Sequence, residues 1–171
     1  MKILHIDKTD TTQNIAMDFI YNKIDDILIM SDIQTSGRGR LNDRTWKSMP
    51  GNFHGSYIIN IAEYGIRENS VSILNDIVLD VIFEYIKSID KCCDSIKIKR
   101  PNDILINNKK VSGVLIEVFY PYVIVGIGIN TKFSPLPPIS TSLRDEFGID
   151  ISNYDIGHFI YNIMIKKITC I

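Results

Sequence analysis

Tryptophan occurs once in these 171 residues and cysteine three times, and neither sign of charge predominates, with 19 Lys and Arg against 20 Asp and Glu. Each scarcity excludes something. Cys92, Cys93 and Cys170 are odd in number, two are adjacent, and no CxxC spacing exists. A disulfide framework and a cysteine zinc site are therefore excluded, and free thiols point to a reducing, cytoplasmic setting. A formal net charge of -1 gives no global basic field, so no nucleic-acid partner is expected and any anion site must be local. No apolar run reaches ~18 residues and no apolar leader opens the chain, so no membrane partner is expected either. A GxxxxGK[ST] phosphate loop is missing too.

What is present fits one domain over residues 1–171. A chain of this length buries roughly 70% of its unfolded surface, enough to fold without a staple. Lys2 to Ile6 reads as a strand. Asp10 or Thr11 can cap a helix through Ile15, Phe19 and Ile24. Strands are expected over Asp26 to Ile33 and Phe53 to Ile61. Val71, Leu74, Val78, Val81, Ile82, Tyr85 and Ile89 recur at helical spacing. Ile96 to Lys99 begins a further strand. Ile104 to Ile106 and Lys110 to Phe119 flank Asn107-Asn108-Lys109, a hairpin turn signal. Val123 to Ile129 is another strand, Pro135, Pro137 and Pro138 mark a loop, and Ile156 to Ile168 reads as a terminal helix. The expected class is α+β, a mixed, largely antiparallel sheet with helices packed on one face.

Four segments carry chemistry. Ser36-Gly37-Arg38-Gly39-Arg40, followed by Arg44 and Trp46, alternates glycine with arginine. Glycine lets the backbone approach a ligand, and arginine pairs with carboxylate or phosphate. Lys99-Arg100-Pro101-Asn102-Asp103 sets a carboxylate among cations, which suits Mg²⁺ with a polyphosphate; alone it also reads as a charged turn. Lys110 stands before an apolar strand that contains Gly113, a place for close approach; alone it also reads as a hairpin with surface lysines. Gly126-Ile127-Gly128-Ile129-Asn130 looks like half of a dinucleotide fingerprint, but the third glycine is missing and a proline-rich loop follows, so a dinucleotide fold is not expected.

Together, in this order, the segments resemble the biotin–protein ligase family from about Thr11 to Asn130. The family's Ser-Thr-Asn triplet reads Thr11-Thr12-Gln13 here. Its Gln-x-x-Gly-Arg-Gly-Arg is matched by Gln34, Gly37, Arg38, Gly39 and Arg40. Its Lys-Trp-Pro-Asn-Asp has Arg100 in place of Trp. Its Lys-x-x-Gly-[IV]-Leu-[IV]-Glu is matched by Lys110, Gly113, Val114, Leu115, Ile116 and Glu117. Its Gly-x-Gly-Ile-Asn is matched by Gly126, Gly128, Ile129 and Asn130. One residue more than usual separates Arg40 from Arg44 and Trp46.

The resemblance implies ATP-dependent attachment of biotin, through biotinyl-AMP, to a lysine of a biotin carboxyl carrier domain. It implies a single catalytic domain without the DNA-binding domain that many members carry, with their C-terminal β-barrel absent or truncated; a homodimer is compatible with it. Lys110, Arg38, Asp103 and Lys99 would be catalytic, with Asp103 holding Mg²⁺ and Lys99 assisting pyrophosphate. Biotin would meet Thr11, Thr12, Gln13, Gln34, Gly37, Arg38, Gly39, Arg40, Lys110 and Gly113. ATP would meet Arg40, Arg44, Trp46, Asn102 and Asn130. Two rivals remain open. A lipoate or octanoate ligase of the same superfamily lacks support from the Arg-Arg-x-x-Gly-Gly-Gly loop, which is absent. A non-catalytic nucleotide-binding module would have little use for Lys110, Asp103 and Arg38 together.

Overall fold

The structure is a computed structural model, and it describes residues 1–40, 45–68, 71–90, 95–132 and 137–170. Among these residues seven strands form one sheet: β1 (Lys2–Thr9), β2 (Ile27–Gln34), β3 (Phe53–Asn60), β4 (Ile96–Lys99), β5 (Asp103–Ile106), β6 (Lys109–Phe119) and β7 (Tyr122–Ile129). Their order across the sheet is β1-β2-β3-β7-β6-β5-β4. Among these seven strands, only β1 and β2 pair with each other in parallel. The helices are α1 (Thr12–Tyr21), α2 (Val71–Ile89), α3 (Leu143–Phe147) and α4 (Asn153–Ile168). No helix among the described residues is long and apolar enough to cross a membrane.

The mixed, largely antiparallel sheet agrees with the sequence reading; the placement of the helices differs. Alternate residues of a strand face opposite sides. Leu28, Met30, Tyr57, Val123 and Val125 point to one side, where residues of α2 and α4 complete the larger core. Ile27, Ile29, Ile58 and Ile124 point to the other, where Ala16 of α1 meets them. So helices cover both faces rather than one. The cause is the parallel pair: β1 and β2 need a crossover, and α1 is that crossover. Both faces of β2 and β7 are therefore apolar, which hides the alternation a one-sided sheet would show.

The β5–β6 hairpin turns at Asn107 and Asn108, both with positive φ, 51° and 62°. Asparagine tolerates that region better than most residues, and two such residues match the twist of the strands. The register then shifts between Ile104 and Leu105, an irregularity in the strand pairing beside Lys110.

Candidate active site

The site lies on the α1 face, where α1 begins and the apolar cover ends. By strand register this face carries Ser56 of β3, Gly126 and Gly128 of β7, Gly113, Leu115 and Glu117 of β6, and Asp103 of β5. The three glycines make a low floor. A Cβ at Gly128 would stand 2.3 Å from the Trp46 indole, and one at Gly126 would stand 2.9 Å from the Gln13 carboxamide oxygen. Neither neighbour could lie where it does over alanine. Trp46 therefore rests on bare backbone, with the Lys110 ammonium 5.6 Å from its ring centroid. The cavity left beside it holds about 60 Å³, and a wider cleft of about 500 Å³ continues past Arg40 and Leu115.

The N-terminus of α1 is built as a polar cradle. The first amides of a helix lack intrahelical acceptors. Thr11 caps with its hydroxyl toward the Gln13 N–H. Gln34 Oε1 accepts from the Thr12 N–H at 2.8 Å. The Thr12 and Ser56 hydroxyl oxygens lie 2.7 Å apart, and Ser56 donates to Gln13 Oε1 at 2.8 Å. Gln13 Nε2 in turn donates to Glu117 Oε2 at 2.8 Å. All but Gln34 and Glu117 are nearly buried, so each satisfied hydrogen bond avoids a desolvation cost. Beside the cradle, the Thr11 backbone N–H, then the Asn14 amide, hold the Asp10 carboxyl below its ordinary range.

The opposite end is charged. Lys110 Nζ lies 2.6 Å from Asp103 Oδ1, yet that buried oxygen receives no hydrogen bond of acceptable angle. The contact is an ion pair, and the carboxylate retains acceptor capacity. Among the described residues Arg40 pairs with no carboxylate.

Behind Trp46 sits His54, 1% exposed, its ring edge-on at 6.3 Å. Burial lowers its pKa to about 4. Nδ1 faces the Ser31 carbonyl at 3.2 Å, which assigns the proton of the neutral ring to Nδ1. Ser48 Oγ lies 3.2 Å from the same nitrogen and accepts from the Gln34 N–H at 2.8 Å.

Of the residues expected from sequence, Thr11, Thr12, Gln13, Gln34, Arg38, Gly39, Arg40, Trp46, Asn102, Lys110 and Gly113 line the cavity. Asp103 reaches it through Lys110. Gly37 binds the loop to itself, its carbonyl accepting from the Trp46 N–H at 2.9 Å. Three expectations change. Lys99 is exposed on the edge strand β4 and does not line the cavity. Asn130, expected on nucleotide, is buried, and its amide donates to the Thr141 and Lys110 carbonyls; it ties strand ends together. Gln13 lines the cavity, but its carboxamide is engaged by Ser56 and Glu117. Arg44 lies outside the described residues. Sequence reasoning gave Ser56, His54, Asn14 and Glu117 no role. For Glu117 a signal existed: Gly113, Leu115 and Glu117 share one strand face.

The described residues hold no group of three or more His, Cys, Asp or Glu suited to a metal. A lone Asp103 carboxylate with a spare oxygen fits Mg²⁺ only where substrate phosphates complete the coordination.

Comparison with known proteins agrees with this geometry. The chain is 31% identical over 159 residues to the Bifunctional ligase/repressor BirA of Bacillus subtilis, covering 85% of this chain and 47% of that protein. It is 29% identical over 133 residues to the Biotin–[acetyl-CoA-carboxylase] ligase of Mycobacterium tuberculosis, covering 71% and 46%. It thus spans about half the length of these relatives. The biotin protein ligase of Aquifex aeolicus, solved in complex with biotin and ATP, superposes with a TM-score of 0.83 at 28% identity, over 98% of this chain and 70% of that one. Residues 5–132 match the Biotin/lipoate A/B protein ligase family, and the chain belongs to that family.

Proposed function

We propose that the chain activates biotin with ATP and passes it to a lysine of a biotin carboxyl carrier domain. The observation that carries this reading is convergence. Residues from α1, the Gly/Arg loop, β3, β6 and β7 meet on one cavity, neutral at one end and cationic at the other. Biotin has the same polarity: a neutral ureido ring, an apolar chain and a carboxylate. The cradle of Thr11, Thr12 and Gln34 offers neutral donors and acceptors to the ring, and Trp46 covers the chain.

The carboxylate then lies toward Lys110 and Arg40. One of its oxygens attacks the α-phosphorus of ATP, the bond to the bridging oxygen breaks, and pyrophosphate leaves with that electron pair. Two anions must meet for this, and cations aimed at the developing charge lower the barrier. Asp103 would hold Mg²⁺ together with phosphate oxygens; the ion neutralises polyphosphate charge. In the second step the carrier's lysine amine attacks the acyl carbon. AMP departs with the electrons of the carbon–oxygen bond, and the amine proton passes to solvent. A closed loop over the cavity protects the mixed anhydride from water.

ATP-dependent transfer of labelled biotin to a biotin carrier domain tests this, with lipoate as the control. Biotin transfer with no lipoate transfer is expected. Preference for lipoate, or no transfer of either, refutes the reading.

A further inference from the structure

The Lys-x-x-Gly motif ends in Glu117, a residue that neither step above employs. Its carboxylate receives Arg38 Nη2 on both oxygens, at 3.1 and 2.8 Å. Gln13 donates to the same Oε2. On the far side of the guanidinium, Nη1 donates to Asn14 Oδ1 at 2.8 Å. Arg38 is thus gripped from two elements, β6 through Glu117 and α1 through Asn14. A half-exposed ion pair is ordinarily worth little. This one differs because one nitrogen is shared by both carboxylate oxygens, and because Gln13, itself 4% exposed, fixes the carboxylate. Little side-chain freedom remains to be lost when the pair forms.

The grip extends to Trp46. Arg38 bridges Thr45 across the loop, and the neighbouring Gly37 carbonyl binds the Trp46 N–H. Fixing Arg38 therefore fixes the strand pair that lays Trp46 on Gly128. We propose that Glu117 is a positioning residue, a carboxylate clasp that acts through Arg38 to hold the Gly/Arg loop and Trp46 over the cavity. On this account Arg38 serves first as the loop's anchor, and the cations at the reacting end are Lys110, paired with Asp103, and Arg40, which has no acidic partner among the described residues. The ligand half of the proposal rests on the reading of the cavity as a biotin site; the clasp itself does not.

The test uses Glu117→Gln, which keeps size and removes charge, with Arg38→Ala and the double variant. Amide hydrogen exchange of residues 36–40 and 45–46 is measured on the ligand-free protein. Biotin affinity is read from the fluorescence of Trp46, the chain's single tryptophan. Glu117→Gln should speed exchange and weaken biotin by about tenfold, the scale of a lost charge-assisted pair. The double variant should be no worse than Arg38→Ala, because both changes open one clasp. Glu117→Asp should recover part of the loss. Unchanged exchange in Glu117→Gln overturns the proposal, and so does a double variant whose defect is the sum of the single ones. Faster exchange in a protein that binds no biotin upholds the clasp and refutes the biotin reading instead.

Discussion

The two ends of the cavity are built on opposite plans. At the α1 end, Gln34, Thr12, Ser56, Gln13, Glu117 and Arg38 form one chain of hydrogen bonds in which the buried groups have partners. At the Lys110 end, one ion pair leaves a buried carboxylate oxygen without a hydrogen bond, and Arg40 has no acidic partner among the described residues. The first end is finished before any ligand arrives. Its side chains are already ordered, so a neutral ring that fits loses little freedom on binding. On the proposed reading, substrate phosphate, carboxylate and cation complete the second end. Recognition, on the same proposed reading, sits where the hydrogen bonds are already made, and the reaction sits where the cations stand.

The comparison breaks most visibly if Lys110 is removed. Lys110→Ala should lower pyrophosphate release by ~10²–10³, the usual effect of losing a charge aimed at the transition state. Stability should fall by about 1–3 kcal/mol, the usual cost of leaving a largely buried acceptor such as the Asp103 carboxylate without its partner, so the rate is compared at a temperature where both proteins are folded. Lys109, which leads into the same strand and does not line the cavity, is the matched control. Lys109→Ala should leave the rate within a factor of about two. If the two variants behave alike, the reacting end is not organised around Lys110.

The finished end can be tested by acid. His54 supports it through Ser48, which receives the Gln34 N–H. Burial lowers the His54 pKa from about 6.5 to about 4. The unfolded chain therefore binds a proton that the folded one refuses. Stability from this group is fully present above pH 6.5 and falls as pH drops toward 4, by about 1.4 kcal/mol per unit at most, or about 2–3 kcal/mol across the window. Denaturant melts at pH 7, 5.5 and 4.5 should show this slope in the parent. A His54→Gln variant, which cannot titrate, should show a shallower slope. Parallel slopes would mean that His54 is not held neutral.

How much of this was legible beforehand differs between the ends as well. The charged end was written in residue types that have few other uses in such patterns: Lys110, Asp103 and the Gly/Arg loop were found from order and spacing. The hairpin at Asn107-Asn108 was legible because two consecutive asparagines encode a turn directly. The finished end was legible only in part: Thr11, Thr12, Gln13 and Gln34 were expected at the site and line the cavity, but Ser56, His54 and Asn14 were not. Ser56 and His54 look like ordinary strand residues, and Asn14 like a helix surface residue. Their role depends on α1 crossing to the second face of the sheet, a consequence of the parallel β1–β2 pair that no local pattern announces. Lys99 and Asn130 misled for a related reason. Each lies within a motif, but strand register sends Lys99 to an exposed edge and Asn130 into a joint between strand ends.

The smallest effect concerns the floor that joins the two ends. Gly128 carries Trp46 at a distance no Cβ allows, 2.3 Å to the indole, with ring atoms rather than a flexible tip as the obstacle. Gly128→Ala must push the ring off the floor. The strand itself tolerates alanine, since β propensity changes by well under 1 kcal/mol, so the sheet should stay intact. What changes is the cover over the apolar part of the ligand. Losing one aromatic contact costs about 1 kcal/mol, or about fivefold in biotin affinity. Pyrophosphate release at saturating biotin should change by less than that, because the Lys110 ammonium, although it lies over the Trp46 ring, stays held by the Asp103 carboxylate at 2.6 Å. The measurement pairs a biotin titration with the saturated rate. A fivefold loss of affinity with a preserved rate separates the two ends as described. A fall in the saturated rate comparable to that of Lys110→Ala would show instead that the indole is part of the reacting end, and the division between a recognising and a reacting half would be lost.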